Sequence, residues 1–241
     1  MKVLITGATG FVGRKLIGSI LPLNYFVTAV VRHEESVIPA EAEKVVVSNL
    51  SSTIDWSNAL NVDVVIHTAA RAHIMNEFVV DPITEYRKVN TDATLALAKQ
   101  AASAKVKRFI FISSIKVNGE CTDFGERFKP ETNFIPTDEY GLSKYEAEQG
   151  LIKIAEKTGM EVVIIRSPLI YGPGVKANFL SMIRWGERGL PLPFGAVNNR
   201  RSLIALDNLI DFITCCIEHP KAANEVFVVS DGEDVSIRQL L

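Results

Sequence analysis

The chain has 241 residues, of which 47% are hydrophobic and 22% are charged, and its formal net charge is -2. This length can bury the core of one large α/β domain, or of one domain with a lobe. The charge gives no electrostatic reason for a nucleic acid or membrane partner, and no apolar run approaches the roughly 20 residues of a membrane span. The first strand begins at the N-terminus, so no signal peptide is expected. Cys121, Cys215 and Cys216 fit reduced cysteines in a cytoplasmic protein.

Strand-like and helix-like segments alternate through the first two thirds of the chain, which predicts a doubly wound parallel sheet. Apolar runs predict strands at residues 3–5, 25–31, 43–47, 62–66, 106–112 and 160–166. Helical spacing predicts helices at about 11–21, at 82–104, at 138–158 and, in a short form, from Asp55 and Trp56 onward. A loop of more than twenty residues precedes the helix at 138–158, and such a length usually indicates function.

Three glycines, Gly7, Gly10 and Gly13, lie between the first strand and the first helix. A glycine-rich turn at this place directs backbone N–H groups and a helix N-terminus at a pyrophosphate. Gly7 would make the tight turn, Gly10 would let the phosphates approach, and Gly13 would let the helix pack closely on the strand. The spacing is one residue longer than the common dinucleotide fingerprint, and its position predicts nucleotide binding.

Tyr140 and Lys144 are spaced to lie on one face of the predicted helix at 138–158. A cation beside the phenol would lower a tyrosine pKa of about 10 by roughly 1–3 units, so that it could exchange a proton with a sugar or alcohol hydroxyl. The pair alone could equally be exposed on an amphipathic helix. Ser114 favours chemistry, because it ends the fifth strand at the edge where open α/β sheets bind ligands.

Together these residues resemble the extended short-chain dehydrogenase/reductases, in particular the nucleotide-sugar epimerase/dehydratase family. The motifs that carry the resemblance follow the family's order, at residues 6–13, 67–70, 89–90, 111–114, 140–144, 166–168, 171–173 and 201–204. The resemblance implies an NAD(P)-binding Rossmann-type doubly wound parallel sheet over 1–168. Residues 169–241 would be part of a smaller nucleotide-sugar-binding lobe, interleaved with the sheet domain. A homodimer that pairs through the helices at 82–104 and 139–158 is also implied.

By this resemblance Tyr140 is the catalytic acid/base, Ser114 binds and polarises the reacting oxygen, and Lys144 holds the nicotinamide ribose. Asn90 would support the active site, although a helix-interior hydrogen bond is the alternative, and His67 is an ordinary strand-end residue. The implied NAD or NADP site comprises Gly7, Thr9, Gly10, Phe11, Val12, Gly13, Arg32, Asn49, Leu50, Thr68, Ala69, Ala70, Asn90, Tyr140, Lys144 and Pro168.

Three further residues, Asn178, Phe194 and Arg201, fall where the family binds the nucleotide diphosphate of a UDP-sugar. Arg201 would pair with phosphate, and Phe194 could pack on the base or belong to the core. The apolar helix that starts at Asp234 or Ser236 has only about six residues, which is marginal for a helix by itself. We therefore expect that the lobe is truncated and that more chain follows Leu241.

Four departures from the family's pattern bear on function. Arg32 replaces the acid that NAD-preferring relatives carry after the second strand, and Asn49 stands where many have Asp. Asn118 replaces the tyrosine of a V-Y-G motif, and this change has no interpretation from the sequence. The positions after Ser114 hold Ile115 and Lys116 instead of the Asp-Glu pair of the dehydratases.

The resemblance and its departures predict hydride exchange at the sugar C4 by a 4-epimerase of a UDP-hexose or UDP-N-acetylhexosamine. A reductase of a UDP-4-keto-6-deoxy sugar also satisfies the sequence. A non-catalytic NAD(P)-sensing protein is a more distant alternative, since such proteins commonly lose the tyrosine and lysine. The sequence leaves NAD and NADP open.

Overall fold

The computed structural model describes residues 1–72, 81–123, 125–175, 199–236 and 239. The strands are β1 (Lys2–Thr6), β2 (Phe26–Val31), β3 (Glu43–Val46), β4 (Val64–His67), β5 (Arg108–Ser114), β6 (Glu161–Ser167), β7 (Leu169–Tyr171), β8 (Arg201–Ala205), β9 (Val226–Val228) and β10 (Asp234–Val235). Seven of them form a sheet in the order β3-β2-β1-β4-β5-β6-β9, in which every neighbouring pair is parallel. The order 3-2-1-4-5-6 is that of dinucleotide-binding doubly wound sheets.

The described residues form the helices α1 (Phe11–Ile20), α2 (Pro82–Tyr86), α3 (Ala93–Ser103), α4 (Glu139–Thr158) and α5 (Leu206–Glu218), and a π-helical segment (Arg87–Asp92) joins α2 to α3. Both faces of the sheet are covered, because successive strand residues point to opposite faces. Ile110 belongs to a core with residues of α1 and α5, while Phe109 belongs to a core with residues of α3 and α4. Burial of both faces explains why these strands are continuous apolar runs.

The six strands expected in the first two thirds of the chain are all present, and their ends move by one or two residues. The helix expected at 138–158 is confirmed, and its end signals are clear. Asp138 Oδ1 accepts a hydrogen bond from the Gly141 N–H at 2.9 Å, and Gly159 ends the helix with a φ of 76°. The prediction of a doubly wound parallel sheet is therefore confirmed.

One predicted helix is absent, and another is present but interrupted. No helix begins at Asp55, because the Asp55 carboxylate accepts the Ser57 N–H at 2.9 Å and the Trp56 N–H donates to the Gln100 side chain at 2.8 Å. These partners replace the helical hydrogen bonds that the segment would need. The expected helix at 82–104 ends at Ser103 and is interrupted by the π segment, an arrangement often found at functional sites.

Residues after Pro168 contribute to two sheets. Strand β9 extends the seven-stranded sheet, and α5 packs in the same core as α1, while β10, β8 and β7 form a second sheet in that order. Asp234 lies in β10 and is not a helix cap, but Ser236 and Gln239 exchange hydrogen bonds in the manner of a capping box. Within the described ranges, no helix is both long and apolar enough to cross a membrane.

Candidate active site

The turn between β1 and α1 leaves no room for a Cβ at Gly7 or Gly13 and little room for one at Gly10. Gly7 has a φ of 70°, and a Cβ there would lie 2.7 Å from Thr68 Oγ1 and 2.8 Å from the Ala69 nitrogen. A Cβ on Gly13 would overlap the Gly7 carbonyl oxygen, and one on Gly10 would lie 3.0 Å from it. The sequence prediction of a tight turn and of close helix packing is thus met by the geometry.

Helix α1 begins with its first amides directed at this turn. Gly10 is the N-cap, and a glycine brings no side-chain acceptor to the amides of the first turn. Thr9 and Gly10 are exposed, while Phe11 and Val12 pack against the core that contains α1. An open helix N-terminus beside a closely approaching glycine turn fits the pyrophosphate of a dinucleotide.

The other residues assigned to the dinucleotide follow the strands at the same edge. Arg32 follows β2, Thr68 follows β4 and Pro168 follows β6, and the carboxyl ends of parallel strands share one edge of the sheet. Arg32 is exposed, whereas the Thr68 hydroxyl donates to the Thr6 carbonyl oxygen at 2.7 Å. The remaining members, which lie after β3 and after β4, are Asn49, Leu50, Ala69 and Ala70.

Ser114, Tyr140 and Lys144 come together where β5 ends and α4 begins. The Tyr140 hydroxyl is hydrogen-bonded to the Ser114 side chain. Lys144 lies one turn further along α4 and is only 2% exposed. Its ammonium donates to the Ile112 carbonyl oxygen at 2.9 Å and lies 4.4 Å from the centroid of the Phe111 ring. The structure therefore unites the three residues that the sequence singled out.

Burial shifts both titratable groups of this trio away from their charged forms. It lowers the pKa of Lys144 to about 7, against the opposing effect of Glu148. It raises the pKa of Tyr140 to about 12, although the bond with Ser114 acts in the other direction. The expectation that Lys144 lowers the pKa of Tyr140 is therefore wrong for the chain alone. Desolvation is the largest effect on the Tyr140 pKa, and the Lys144 ammonium donates to the Ile112 carbonyl.

His67 is fully buried and bridges β1 to the first turn of α3. Its Nδ1 lies 2.7 Å from Thr6 Oγ1, and its Nε2 lies 3.0 Å from Thr94 Oγ1. The Thr94 hydroxyl donates to the Asn90 carbonyl at 2.8 Å, so it must accept from His67, which places the ring proton on Nε2. Burial and the Lys144 charge lower the pKa of His67 to about 3, so the ring is neutral. His67 is a strand-end residue as predicted, with a structural role on both sides.

Asn90 lies in the π segment and connects two parts of the site. Its side chain accepts the Arg71 N–H at 2.8 Å and donates to the Arg71 carbonyl at 3.0 Å. It also donates to Ser143 Oγ at 3.0 Å, and the Ser143 hydroxyl donates to the Tyr140 carbonyl at 2.8 Å. These bonds run between elements, which favours the supporting role over a hydrogen bond inside one helix.

Sequence reasoning missed a cluster of buried polar residues beside the trio, namely Ser113, Asn118, Glu148 and Arg166. Glu148 follows Lys144 by four residues, so it lies on the face of α4 that carries Tyr140. This spacing was a usable signal. The partners of Glu148 come from other strands and from a loop, and no local pattern indicates them.

The predicted substrate residues fall mostly outside the described part of the chain. Asn178 and Phe194 lie outside the described residues, and Arg201 is an exposed residue at the start of β8.

Asp231 connects the motif at 171–173 to the residue that precedes α5. Its carboxylate accepts from the Tyr171 hydroxyl at 2.8 Å and from the Ala205 N–H at 2.9 Å.

A dinucleotide-binding turn, together with a tyrosine and a lysine one helical turn apart, defines an enzyme of the extended short-chain dehydrogenase/reductase class. The model of the NAD dependent epimerase/dehydratase family matches residues 3–230. The chain belongs to this family. Because this family is NAD dependent, the cofactor of the chain is a nicotinamide dinucleotide.

Individual proteins are also similar. The UDP-glucose 4-epimerase of Vibrio cholerae is 52% identical, over 100% of this chain and 74% of that protein. The crystal structure of UDP-glucuronic acid 4-epimerase from Bacillus cereus with UDP-glucuronic acid and NAD has a TM-score of 0.83 at 24% identity, and covers 99% of this chain and 80% of the other. The UDP-glucose 4-epimerase from Thermotoga maritima has a TM-score of 0.78 at 22% identity, with coverages of 100% and 80%. At these identities the structural likeness concerns the fold.

Proposed function

We propose that the protein is a nucleotide-sugar 4-epimerase that acts on a UDP-hexose or a UDP-N-acetylhexosamine. The observation that carries the proposal is the hydrogen bond between Tyr140 and Ser114 beside the buried Lys144, at the sheet edge that holds the glycine turn. The identity of 52% with the Vibrio cholerae UDP-glucose 4-epimerase supports the same reaction.

Each residue of the trio has a task that its position allows. A bound nicotinamide dinucleotide supplies the exchange of hydride at the sugar C4. Tyr140 removes the proton of the C4 hydroxyl and returns it to the epimeric oxygen, while Ser114 holds that oxygen. Removing the proton of Tyr140 against a pKa of about 12 requires positive charge beside the phenol. Lys144, on the same helix face, is suited to supply this charge.

The residues after Ser114 favour epimerisation over loss of water. Ile115 and Lys116 occupy the positions where the dehydratases of the family carry two acids. The Lys116 ammonium lies 2.7 Å from Glu120 Oε1 and 3.5 Å from Asp138 Oδ1. Ile115 has no titratable group, and the ion-paired Lys116 ammonium replaces neither carboxyl group, so the acid pair on which the dehydratases rely is absent from these two positions.

Arg32 supports a second candidate, a reductase of UDP-4-keto-6-deoxy sugars. A guanidinium can pair with the 2′-phosphate of NADP but has no acceptor for the ribose hydroxyls of NAD. Arg32 is exposed at the end of β2, so we propose that it relaxes the selectivity for NAD. A reductase would consume one NAD(P)H per turnover, whereas an epimerase must regain its cofactor within each turnover.

The remaining parts of the proposal concern binding and assembly. Asn178, Phe194 and Arg201 would bind the UDP group, and the residues assigned to the dinucleotide would bind NAD or NADP. A cytoplasmic homodimer that pairs through α3 and α4 completes the proposal. Its assembly can be measured by sedimentation of the purified protein with and without NAD.

The decisive experiment incubates the purified protein with UDP-glucose and with UDP-N-acetylglucosamine without added cofactor. C4 epimers of either sugar, together with NAD released on denaturation and identified by mass spectrometry, are the expected result. If neither epimer forms while a UDP-4-keto-6-deoxy sugar oxidises NAD(P)H stoichiometrically, the reductase replaces the epimerase.

A further inference from the structure

Glu148 is a fully buried carboxylate to which the proposed reaction assigns no task. Its Oε1 accepts a hydrogen bond from the hydroxyl of Ser113 at 2.5 Å, and Ser113 directly precedes the proposed substrate-binding Ser114. Both of its oxygens accept hydrogen bonds from Arg166 of β6: Oε2 from Nη2 at 2.6 Å, and each oxygen from Nε at 3.1 Å. One carboxylate thus joins α4, β5 and β6 at the edge that carries the trio.

Arg166 extends this cluster into the loop that connects Ser114 with Tyr140. Its Nη1 donates to Asn118 Oδ1 at 3.1 Å and to the Pro130 carbonyl at 2.9 Å. The Asn118 amide donates in turn to the Lys129 carbonyl at 2.6 Å. Asn118 stands where the family has tyrosine, and its two bonds give this departure a physical interpretation.

Stability alone does not explain a buried ion pair at this place. The side chains of Arg166 and Glu148 are 5% and 0% exposed. Removing two charges from water costs free energy that their attraction recovers only with good geometry, and apolar replacements of such pairs are often neutral or stabilising. The Arg166–Glu148 pair joins the strand end and the helix that carry the trio, so its contribution is to fix the relative positions of these groups.

We propose that Glu148, Arg166 and Asn118 are positioning residues for the reaction proposed above, on which this inference rests. They fix the end of β5, which carries Ser114, against the face of α4, which carries Tyr140 and Lys144. They also hold the two ends of the intervening loop together, at Asn118 and at Lys129 and Pro130. A displacement of about 1 Å between such groups can cost about 10²-fold in rate.

Glu148 also acts on Lys144 through its charge. The titratable and charged groups around Lys144 are Tyr140 and Glu148 on α4, the neutral His67 from β4, and Arg166 from β6, which is bound to Glu148. Among them, Glu148 raises the pKa of Lys144 against the larger effect of burial. Without the carboxylate, Lys144 would lose its proton at a lower pH, and the alkaline limb of the rate profile would move in the same direction.

The first test compares Glu148→Gln with Glu161→Gln, which breaks a second buried arginine pair at the opposite edge of the same strands. We expect Glu148→Gln to lower kcat about 10²-fold, with an unchanged Kd for NAD and an alkaline limb shifted to lower pH. Glu148→Asp should restore part of kcat, and Glu161→Gln should retain the kcat and pH profile of the wild type. If Glu148→Gln lowers stability alone and keeps the wild-type rate and pH profile, the proposal is overturned.

The second test needs no turnover. The loop contains one suitable tryptic bond, between Arg127 and Phe128, since Lys129 precedes Pro130. In Asn118→Ala we expect cleavage there to be about tenfold faster than in the wild type, while Glu161→Gln leaves its rate unchanged. Equal rates in wild type and Asn118→Ala would refute the attachment of the loop. A wild type without epimerase activity would instead refute the proposed function and leave this cleavage test valid.

Discussion

Two buried arginines on the adjacent strands β5 and β6 form ion pairs, one at each edge of the sheet. At the amino edge, Arg108 of β5 pairs with Glu161 of β6 at 2.7 Å and donates to the Cys216 carbonyl at 2.6 Å. At the carboxyl edge, Arg166 of β6 pairs with Glu148 at 2.6 Å. The chemistry is the same, but the surroundings differ.

Arg108 ends on main-chain groups, because its Nη1 also reaches the Ile217 carbonyl in the last turn of α5 and the His219 carbonyl just beyond the helix. Arg166 ends on a loop and lies beside groups whose pKa values are strongly shifted, namely Tyr140 and Lys144. Perturbed titratable groups concentrate at functional sites. The comparison teaches that one interaction secures a helix end at one edge and positions reacting groups at the other.

The largest effect is expected from Tyr140→Phe, which removes the proton carrier from the carboxyl edge. We expect kcat to fall by about 10²–10⁴-fold with little change in NAD affinity, because the glycine turn binds the dinucleotide. The matched control is Tyr25→Phe. Tyr25 also has its pKa raised to about 12 by burial, and its hydroxyl donates to Glu218 at 2.7 Å. A loss below tenfold in Tyr140→Phe would exclude the acid/base role.

Glu161→Gln tests the amino edge for stability. The substitution leaves the 2% exposed Arg108 without its ionic partner, and because Glu161 is 27% exposed the cost should be about 2–3 kcal/mol of unfolding free energy. Denaturant titration measures the change, and steady-state assays should give wild-type kcat. If Glu161→Gln keeps its stability but loses activity, the inferred difference is wrong: the pair at the amino edge would then affect catalysis and not stability.

His67→Gln tests whether a buried neutral histidine at the carboxyl edge lowers the unfolding free energy at acid pH. The folded pKa of about 3 lies below the ordinary value of 6.5, so protons bind more strongly to the unfolded chain between these values. Wild-type stability should therefore fall with pH, by about 2 kcal/mol between about pH 7 and pH 5 from His67 alone. Between pH 7 and pH 5 the unfolding free energy of His67→Gln should fall by about 2 kcal/mol less than that of the wild type. The unfolding free energy of a control at an exposed histidine, His33→Gln, should fall as much as that of the wild type.

Arg32→Asp should give the smallest effect, because Arg32 is exposed and acts through the ligand and not through folding. We expect calorimetry to show a shift of about tenfold in affinity from NADP towards NAD, as one hydrogen bond to a charged group is worth about 1.5 kcal/mol. The thermal midpoint should not change. A wild type that already prefers NAD tenfold, with no further gain in the variant, would contradict the role of Arg32.

The strands and α4 could be predicted because their signals are local. Parallel strands buried on both faces are apolar runs, and Asp138 and Gly159 mark both ends of α4. The absence of a helix at Asp55 could not be foreseen from local sequence. The Trp56 N–H donates to the side chain of Gln100, which is 44 residues away in the chain. The π segment has no local signature in the sequence, and an extra residue in a helix is visible only from its hydrogen bonds.

The site could be predicted as a set of residues but not as an electrostatic environment. Strand order alone places Ser114 beside the start of α4, so its meeting with Tyr140 follows from topology. The pKa of Tyr140 is raised chiefly by burial, and the burial of this phenol is set only by the completed fold. The partner of Glu148 is 18 residues further along the chain, on a strand whose neighbours are set only by the completed sheet.

The bonds of Arg108 have a consequence for synthesis on the ribosome. The carbonyl of Cys216 lies 108 residues beyond Arg108 in the chain. At a translation rate of about 5–20 residues per second, the guanidinium waits roughly 5–20 s before this partner is made. Strand β9, which covers the outer edge of β6, is made later still. The nascent sheet therefore passes through an interval in which Arg108 lacks its carbonyl partners and β6 has an open strand edge, and chaperone capture should be most frequent in that interval.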